Sequence, residues 1–574
     1  MDSTARDTEV LLSRAESIHA DIDLYSDGSD AAKDSLDDHD NINDDVSDGN
    51  AKPPCLSIHS QKALLVNREL DEQGMGRYQW MVFFLCGFGY LLDLLWAQAF
   101  GLVVSPMQRE FGFDDTQLGN IFTAFSIGLT AGALIWGVFV DLPTVGRKAA
   151  FNYTVLMSTA FGICLGIPDS YGVVIVLTAF TGFGIGGNIP IDTTICLECL
   201  PQDRHWLLPA LSIFQPVGVI LCSGLAYVFI PAYSCAENLV SCNRVRDADA
   251  VGACCGRADN QGWRYLMFTI GAMTFSVFAL RFLVFRFQES PKFLISSGQD
   301  EKAIEVLQYI ARYNHRECRL TLEKLMALGH EQDIASLPPN AADDIESHAL
   351  LDSPNTSKRQ STKIKQKLYS ELSRLQHLFS TPSMTRLIIL VWIIYGFDFW
   401  GFTIAGSFLP TILARKGQSL GLSLTDTYRS YIYIYSLGIP GVLAGTLMYT
   451  RRQYRRLALV LSSALFATCL FAFTAVHDHA SYIAVNALVY FFQSMFNALL
   501  YAWTPEAFPP EVRGTASGLA SFWGRMFSIV APVVATRVLA RSLDGVLYLA
   551  GASVWVCTLA VLAVPGRFFS GRDY

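Results

Sequence analysis

The chain has 574 residues, of which 51% are hydrophobic and only 16% are charged. Soluble domains carry about 25% charged residues, so this composition argues against a soluble globular protein. The formal net charge is −8, yet residues 1–50 alone hold fifteen acidic and three basic residues. The acidity therefore belongs to one tail, and we expect no nucleic acid partner.

Residues 1–76 are rich in Asp and Ser and poor in aromatic residues. This composition is typical of disorder, so we interpret the segment as a disordered acidic tail in the cytosol. Beyond it lie twelve apolar stretches, and a helix of about 20 residues crosses a hydrocarbon core of about 30 Å. These stretches lie at about residues 78–104, 117–140, 149–167, 172–198, 207–231, 264–286, 386–412, 428–450, 455–476, 480–503, 514–539 and 543–565.

The stretches form two blocks of six on either side of a polar central loop, residues 287–383. Within this loop, Gln299–Tyr313 and Lys365–Phe379 have the periodicity of amphipathic helices. A short polar tail, residues 567–574, ends the chain. Basic residues cluster in the loops after even-numbered spans, which indicates that these loops and both termini are cytosolic.

The two blocks repeat each other. Asp93 in the first span and Asp398 in the seventh are 305 residues apart, and each has a Trp close behind. The fourth and tenth spans end in similar Glu–Pro–Arg motifs 308 residues apart, Glu198-x-x-Pro201-x-x-Arg204 and Glu506-x-x-Pro509-x-x-x-Arg513. The sequence therefore predicts an all-α membrane protein with twelve transmembrane helices in two homologous six-helix halves, residues 77–286 and 384–566. Such halves place a solute site at their interface, near the bilayer midplane.

Four cysteines lie in one polar loop, residues 232–263, which this topology places outside, where disulfides persist. They are Cys235, Cys242, Cys254 and Cys255. A bond between the adjacent Cys254 and Cys255 is strained, so two of the three possible connectivities remain open.

Several motifs carry a family resemblance. They are Gly137…Asp141…Gly146-Arg147-Lys148 after the second span, Gly186-Gly187-Asn188-x-Pro190-x-Asp192 in the fourth, Glu289-Ser-Pro-Lys-Phe-Leu294 after the sixth, and Pro505-Glu506 at the end of the tenth. Over about residues 76–566 the chain resembles the major facilitator superfamily, in particular sugar porters and, most closely, the synaptic-vesicle-glycoprotein-like branch with its fungal relatives. It departs from them in two places: two extra residues separate Asp141 from Gly146, and Thr178 stands where sugar porters have an Arg.

The resemblance implies the major facilitator fold and a transport function, with a sugar substrate only weakly indicated. It also implies gating salt bridges at cytosolic helix ends. Their residues are Asp141, Arg147, Glu198, Arg204, Glu506 and Arg513.

Two carboxylates inside spans are candidates for proton coupling. A charged carboxylate in hydrocarbon costs at least about 2.5–3.5 kcal/mol, so it is usually functional or paired. Asp93 has mostly apolar residues on both sides, and Asp192 follows Asn188 by four residues on the same helix face. Asp93 either couples solute movement to protons or is hydrogen-bonded for packing. Asp192 is either a second proton or substrate site or a cap for the helix broken at Pro190.

Other polar residues in the spans are candidate solute contacts. Arg525 requires an anion, which is either Asp398 or a carboxylate of the substrate. The tenth span carries a polar stripe with spacings of 3, 4 and 4, which places its members on one helix face. Amides and aromatic rings suit a polar organic solute, although hydrogen bonds between helices also explain the pattern. The candidates are Asn188, Gln215, Asp398, Tyr490, Gln493, Asn497, Tyr501 and Arg525.

The sequence thus predicts a secondary transporter that moves a small polar organic solute (a sugar, polyol or organic acid), coupled to protons, by alternating access. We expect a monomer in the plasma membrane, with no cofactor, no metal and no enzymatic activity. Two alternatives are a non-transporting membrane receptor or scaffold, and an exporter of a secondary metabolite or toxic compound.

Overall fold

The structure is a computed structural model. This structure describes residues 58–140, 146–204, 206–236, 239–243, 254–281, 288–326, 379, 381–419, 423–476, 478–508 and 513–570. All statements below concern these residues.

The first part of the chain is helical from Ile58 onward. Its helices are α1 (Ile58–Gln73), α2 (Arg77–Phe111), α3 (Gly119–Val140), α4 (Gly146–Cys164), α5 (Tyr171–Gly186), α6 (Asn188–Cys199), α7 (Leu207–Ala210), α8 (Phe214–Phe229) and α9 (Gly262–Ala279). Two short strands, β1 (Val240–Ser241) and β2 (Cys254–Cys255), pair in parallel before α9. Short 3₁₀ turns at Asp115–Gln117, Gln202–Arg204 and Leu211–Ile213 link some of the helices.

The second part is also helical. It contains α10 (Pro291–Ser296), α11 (Asp300–Tyr313), α12 (Pro382–Ser419), α13 (Leu424–Ser436), α14 (Gly438–Tyr449), α15 (Arg455–Thr474), α16 (His479–Glu506), α17 (Arg513–Leu539), α18 (Leu543–Ala563) and α19 (Arg567–Ser570). A 3₁₀ turn at Arg452–Tyr454 precedes α15.

Prolines explain why two long helices are divided. Pro190 and Pro440 stand three residues after the breaks at Gly187 and Leu437. Because proline has no backbone N–H and its ring crowds the preceding turn, it interrupts the hydrogen-bond ladder. The pairs α5–α6 and α13–α14 therefore each correspond to one predicted span.

The all-α prediction is confirmed. Ten helical stretches among the described residues are long and apolar enough to cross a membrane. The predicted spans 149–167 and 264–286 correspond to α4 and α9, which are helical but are not among those ten. The figure of twelve spans thus rests on the sequence pattern for these two helices.

Small residues let the helices approach closely. A side chain on Gly182 or Gly186 of α5 would overlap the backbone of Phe125 or Leu129 on α3. Helices in lipid associate through such close backbone contacts, since lipid tails are as apolar as leucine side chains. In addition, α3 packs against α17 and α8 against α13, which joins the two halves.

The predicted disordered tail is wrong for residues 58–73, which form α1. Leu65, Val66 and Leu70 are buried on one face of this helix, so apolar burial offsets the cost of ordering the chain. The Glu69 carboxylate accepts the backbone N–H groups of Arg319 and Leu320, at 3.2 and 3.0 Å. The segment is therefore a folded part of a compact unit with the beginning of the central loop.

Within the central loop, α11 coincides with the amphipathic helix predicted at 299–313. The helix predicted at Lys365–Phe379 lies outside the described residues except for its last position.

The polar cysteine loop contains two disulfides, Cys235–Cys255 and Cys242–Cys254. This is one of the two connectivities that the sequence left open. The loop is fixed to the last turn of α2, where Arg109 donates to the Cys235 carbonyl oxygen at 3.2 Å. We call this end of the bundle, with the loop, the C-terminus of α2 and the N-terminus of α9, the disulfide end.

A buried ion pair holds the disulfide end together. The Arg264 guanidinium on α9 donates to both carboxylate oxygens of Glu110 on α2, at 2.7 and 2.8 Å. Trp263 and Asn260 donate to the same carboxylate, at 2.9 and 3.1 Å. Because Glu110 and Arg264 are buried, removing any of these donors would leave a buried charge without its full set of partners.

Loss of one partner should expose this dependence. The Arg264 side chain is 2% exposed, so Arg264→Ala leaves Glu110 buried and unpaired, at a cost of about 3–5 kcal/mol. We expect a large fall in thermal unfolding temperature in detergent. Arg257, whose side chain is 52% exposed and pairs with Asp169, is the control: Arg257→Ala should cost about 0–1 kcal/mol. Equal shifts in the two variants would contradict this account of the ion pair.

Candidate functional site

Asp192 lies at the centre of a buried group of charges. Its side chain is 0% exposed, and its carboxylate is 3.6 Å from the Arg281 guanidinium. Neither carboxylate oxygen has a hydrogen-bond partner among the described residues. A side chain at Gly89 on α2 would overlap this carboxylate, so the glycine is what lets Asp192 approach α2.

Arg281, just after α9, is held by more than Asp192. It donates to the carbonyl oxygens of Phe151 and Leu85, at 3.2 and 3.1 Å. Its guanidinium also lies 3.6 Å from the centroid of the Phe151 ring, which is a cation–π geometry. Arg281 thus ties Asp192 to α2 and α4 within the first half.

Arg525 interacts electrostatically with an acid that the sequence analysis did not name among the candidates for its anion. Asp398 was one candidate for its anion, but the electrostatic partner of Arg525 is Asp93. The guanidinium also donates to the Leu129 carbonyl oxygen on α3 at 3.0 Å. The helix α17 packs against both α12 and α3, and the Arg525 side chain reaches toward α3, where it meets the Leu129 carbonyl oxygen.

Asp398 is buried on α12 without a cationic partner among the described residues. Its electrostatic neighbours are the Tyr395 and Tyr501 hydroxyls and Cys557. Tyr501 in turn interacts with Asp93 and Arg525. Tyr501 therefore stands between Asp398 and the charges at the interface of the halves.

Asp93 and Asp192 also influence each other electrostatically. The four charges therefore form a series, Arg281–Asp192–Asp93–Arg525, of two acids and two bases. Three come from the first half and Arg525 comes from the second. We call this series the charge network.

A small cavity lined by both polar and apolar residues lies between the halves, and one of its lining residues, Leu94, follows Asp93 in α2. Leu94, Gln215 and Pro216 line it from the first half. The second half contributes Phe402, Val442, Tyr490, Gln493, Ser494 and Asn497. Three residues of the predicted stripe thus face the cavity, and Tyr501 lies beside Asp398 instead.

The cavity offers unused hydrogen-bonding capacity. The Asn497 side chain is buried, and its carbonyl oxygen lacks a hydrogen-bond partner among the described residues. Buried polar atoms without partners are rare and call for an explanation, such as a ligand or a water. Asn188 is also buried without partners for either amide atom, but it lies a turn from Asp192 and does not line this cavity.

The gating residues are placed only in part. Glu506 pairs with Arg455, the first residue of α15, at 2.6 Å. Arg455 is held in turn by the Tyr449 ring, 4.2 Å away. Glu198 is buried in the last turn of α6, and Arg204 ends a 3₁₀ turn. Asp141 and the side chains of Arg147 and Arg513 lie outside the described part.

Comparison with known proteins settles the family. A family model described as Major Facilitator Superfamily matches residues 80–532. The chain belongs to the Major Facilitator Superfamily. It is therefore a transporter-family protein rather than an enzyme, as the sequence predicted.

Named relatives agree with this. The MFS siderochrome iron transporter 1 of Ceriporiopsis subvermispora is 35% identical over 83% of this chain and 85% of its own length. The synaptic vesicle 2-related protein of Rattus norvegicus is 23% identical over 87% of this chain and 80% of its own. The fold matches the xylose transporter XylE of E. coli in a partially occluded inward-open conformation. That match has a TM-score of 0.59 and 13% identity, over 85% of this chain and 100% of that one.

Sequence reasoning missed Arg281. It lies in the run Arg281-Phe-Leu-Val-Phe-Arg286, which was read as the end of an apolar span. The signal was available, since an Arg inside such a run needs an anion as much as Arg525 does. Glu110 and Arg264 were not predicted either, because each lies at the end of a helix, where a charged residue is less conspicuous than at the centre of a span.

The position of Asp192 should depend on Gly89. In Gly89→Ala the new methyl group overlaps the Asp192 carboxylate, and such overpacking costs about 1–3 kcal/mol. We expect a lower thermal unfolding temperature. Gly224→Ala on α8 is the control, because a methyl group there meets no atom within 4 Å. A Gly89→Ala protein as stable as Gly224→Ala would refute the close contact.

The pairing of Arg525 can be separated from the alternative by double-mutant cycles. Asp93→Asn and Arg525→Gln should be non-additive in unfolding free energy by about 0.5–3 kcal/mol, since each single change strands the other charge. The cycle of Asp398→Asn with Arg525→Gln is the control and should be additive within about 0.5 kcal/mol. Coupling in the control cycle alone would restore Asp398 as the partner.

Proposed function

We propose that this protein is a secondary active transporter that moves a small polar organic solute together with protons by alternating access. The observation that carries the proposal is the electrostatic interaction of Asp93 with Arg525 across the two halves, beside a small cavity that contains several polar groups. An attraction between an acid of one half and a base of the other weakens when the acid takes up a proton.

The proposed coupling follows from charge. When Asp93 is ionised, it attracts Arg525 and favours the state in which α17 lies against α3. A proton on Asp93 cancels this attraction and leaves Arg525 with the Leu129 carbonyl oxygen and Tyr501. Because a ligand shifts an equilibrium only by its differential affinity for the two states, the proton acts by weakening this one state.

Asp192 has a different role in this scheme. It pairs with Arg281 inside the first half, so its contact need not break when the halves move. We therefore assign proton exchange to Asp93 and assign to Asp192 and Arg281 the task of holding α2 and α6 together. Asp398, which lacks a cationic partner among the described residues, is the second proton site to test.

The solute class is suggested by the cavity. Its lining includes the amides of Gln215, Gln493 and Asn497 and the Tyr490 ring, with no charged residue among those that line it. Amides donate and accept hydrogen bonds, and aromatic rings pack on apolar faces, as a neutral polyhydroxylated solute requires. An organic acid is the second candidate, since Arg525 lies nearby. The relative named as a siderochrome iron transporter adds ferric siderophores to the solutes to test.

The location proposed is the plasma membrane, with a monomer whose termini are cytosolic. The disulfides support placing the disulfide end outside the cell, since disulfides persist in oxidising compartments.

The decisive experiment is solute-induced proton uptake into proteoliposomes, scanned over sugars, polyols, organic acids and ferric siderophores. Asp93→Asn should abolish proton uptake and proton-driven accumulation but retain solute exchange, which needs no net proton movement. Asp192→Asn is the comparison and should lower the amount of folded protein more than the coupling of what remains.

Proton uptake that persists in Asp93→Asn would remove Asp93 from the mechanism. Solute binding without any flux in the wild type would favour the alternative hypothesis of a non-transporting receptor. Solute flux only toward the side on which the disulfide end lies would favour the exporter.

A further inference from the structure

A row of tyrosines on α13 lies along the seam between the halves. Tyr428, Tyr431 and Tyr435 are spaced by 3 and 4 residues, which places them on one helix face, and all three are buried. The Tyr428 hydroxyl donates to the Leu102 carbonyl oxygen of α2 at 2.9 Å. Two turns further along α13, Tyr435 lies beside Gln98, which is one turn before Leu102 in α2. This helix of the second half therefore runs along the first-half helix that carries Asp93.

The Leu102 carbonyl oxygen accepts this bond because of Pro106. Pro106 lies inside α2, four residues after Leu102, and has no N–H with which to complete the helical ladder. A buried carbonyl without a partner is costly, and the Tyr428 hydroxyl supplies the missing donor. The bond thus satisfies a defect of one half with a group from the other.

The row connects the disulfide end to the cavity. The rings of Tyr428 and Tyr431 are 5.3 Å apart, and those of Tyr431 and Tyr435 are 6.3 Å apart. The Tyr435 ring then meets the edge of Tyr490, 4.8 Å away, which lines the cavity. Along α2, Leu102 stands between Gln98, which lies beside Tyr435, and Glu110, which belongs to the disulfide end. The rings therefore form a continuous series that runs from the cavity toward the disulfide end.

A contact between two aromatic rings also crosses from one half to the other. The rings of Phe122 on α3 and Phe408 on α12 are 5.2 Å apart, but this contact is apolar and has no directional bond. Of the two bonds that Tyr428 and Tyr431 donate to backbone carbonyl oxygens, only that of Tyr428 crosses from one half to the other.

We propose that Tyr428 is a latch that holds the cavity closed toward the disulfide end, and that its bond to Leu102 must break each time the cavity opens there. Tyr428 is thus a positioning residue, since it acts on the balance of conformations and not on the solute. The inference rests on the alternating access proposed above, but its test needs neither solute nor proton.

Tyr431 offers a matched control. Its hydroxyl donates to the Pro410 carbonyl oxygen at 2.7 Å, and both residues belong to the second half. That bond does not cross the seam, so it can persist while the halves separate. Tyr428→Phe and Tyr431→Phe remove the same atom from neighbouring buried tyrosines.

The test is the distribution of distances between spin labels on the two halves at the disulfide end. Thr116, in the 3₁₀ turn before α3, and Thr425, at the start of α13, are both exposed and accept labels as Thr116→Cys and Thr425→Cys. The exposed Cys164 is replaced by Ser. Double electron–electron resonance is then recorded on the full chain in lipid nanodiscs without solute.

We expect Tyr428→Phe to raise the ratio of the long-distance to the short-distance population by about two- to tenfold, which corresponds to the net strength of one hydrogen bond. Tyr431→Phe should leave the ratio unchanged. Thermal unfolding of both variants should fall by similar amounts, since each loses one buried hydrogen bond, so a loss of stability alone cannot produce the difference.

An unchanged distribution in Tyr428→Phe, or an equal shift in Tyr431→Phe, would overturn the latch. Neither result bears on proton coupling at Asp93, which is tested by proton uptake. Conversely, loss of coupling through Asp93 with a clear shift in Tyr428→Phe would leave the latch in place and remove only the proposed driving force.

Discussion

A charge inside an apolar bundle is costly unless an opposite charge lies nearby or the group is neutralised, and the electrostatic interaction of Arg525 with Asp93 links the two halves of this protein. An isolated charge in hydrocarbon costs several kcal/mol, so neither residue is tolerated alone. The remaining structure follows from this need. Arg281 answers Asp192 within the first half, and Gly89 supplies the space in which Asp192 reaches α2.

The two acid–base interactions of the charge network differ in what they join. Arg281 and Asp192 both belong to the first half, whereas Arg525 and Asp93 belong to different halves, so the proposed alternating access would make and break only the second interaction. A backbone defect follows the same logic: Pro106 leaves the Leu102 carbonyl oxygen without its helical donor, and the second half supplies one. In both cases a polar group that one half cannot satisfy becomes a contact with the other half.

The sequence predicts helices better than it predicts partners. The apolar spans, α11 and the cavity-facing stripe on α16 follow from periodicity, which is a property of one helix at a time. The partner of Arg525 depends on which helix of the other half α17 packs against, and no spacing within α17 encodes that. Arg281 was overlooked because the run around it was read by its average composition. The order of residues 58–73 was missed because the acidic composition of residues 1–50 was extended to a segment with its own apolar face.

The fold of α1 also changes where the chain can be shortened. A truncation chosen by composition would begin at the first apolar span and discard everything before residue 77. Such a protein would lose Glu69 and leave the buried N–H of Leu320 without its acceptor, at a cost of about 1–3 kcal/mol. Expression tags and deletions for crystallisation or cryo-EM therefore belong before Ile58, and residues 58–76 should be kept with the membrane domain.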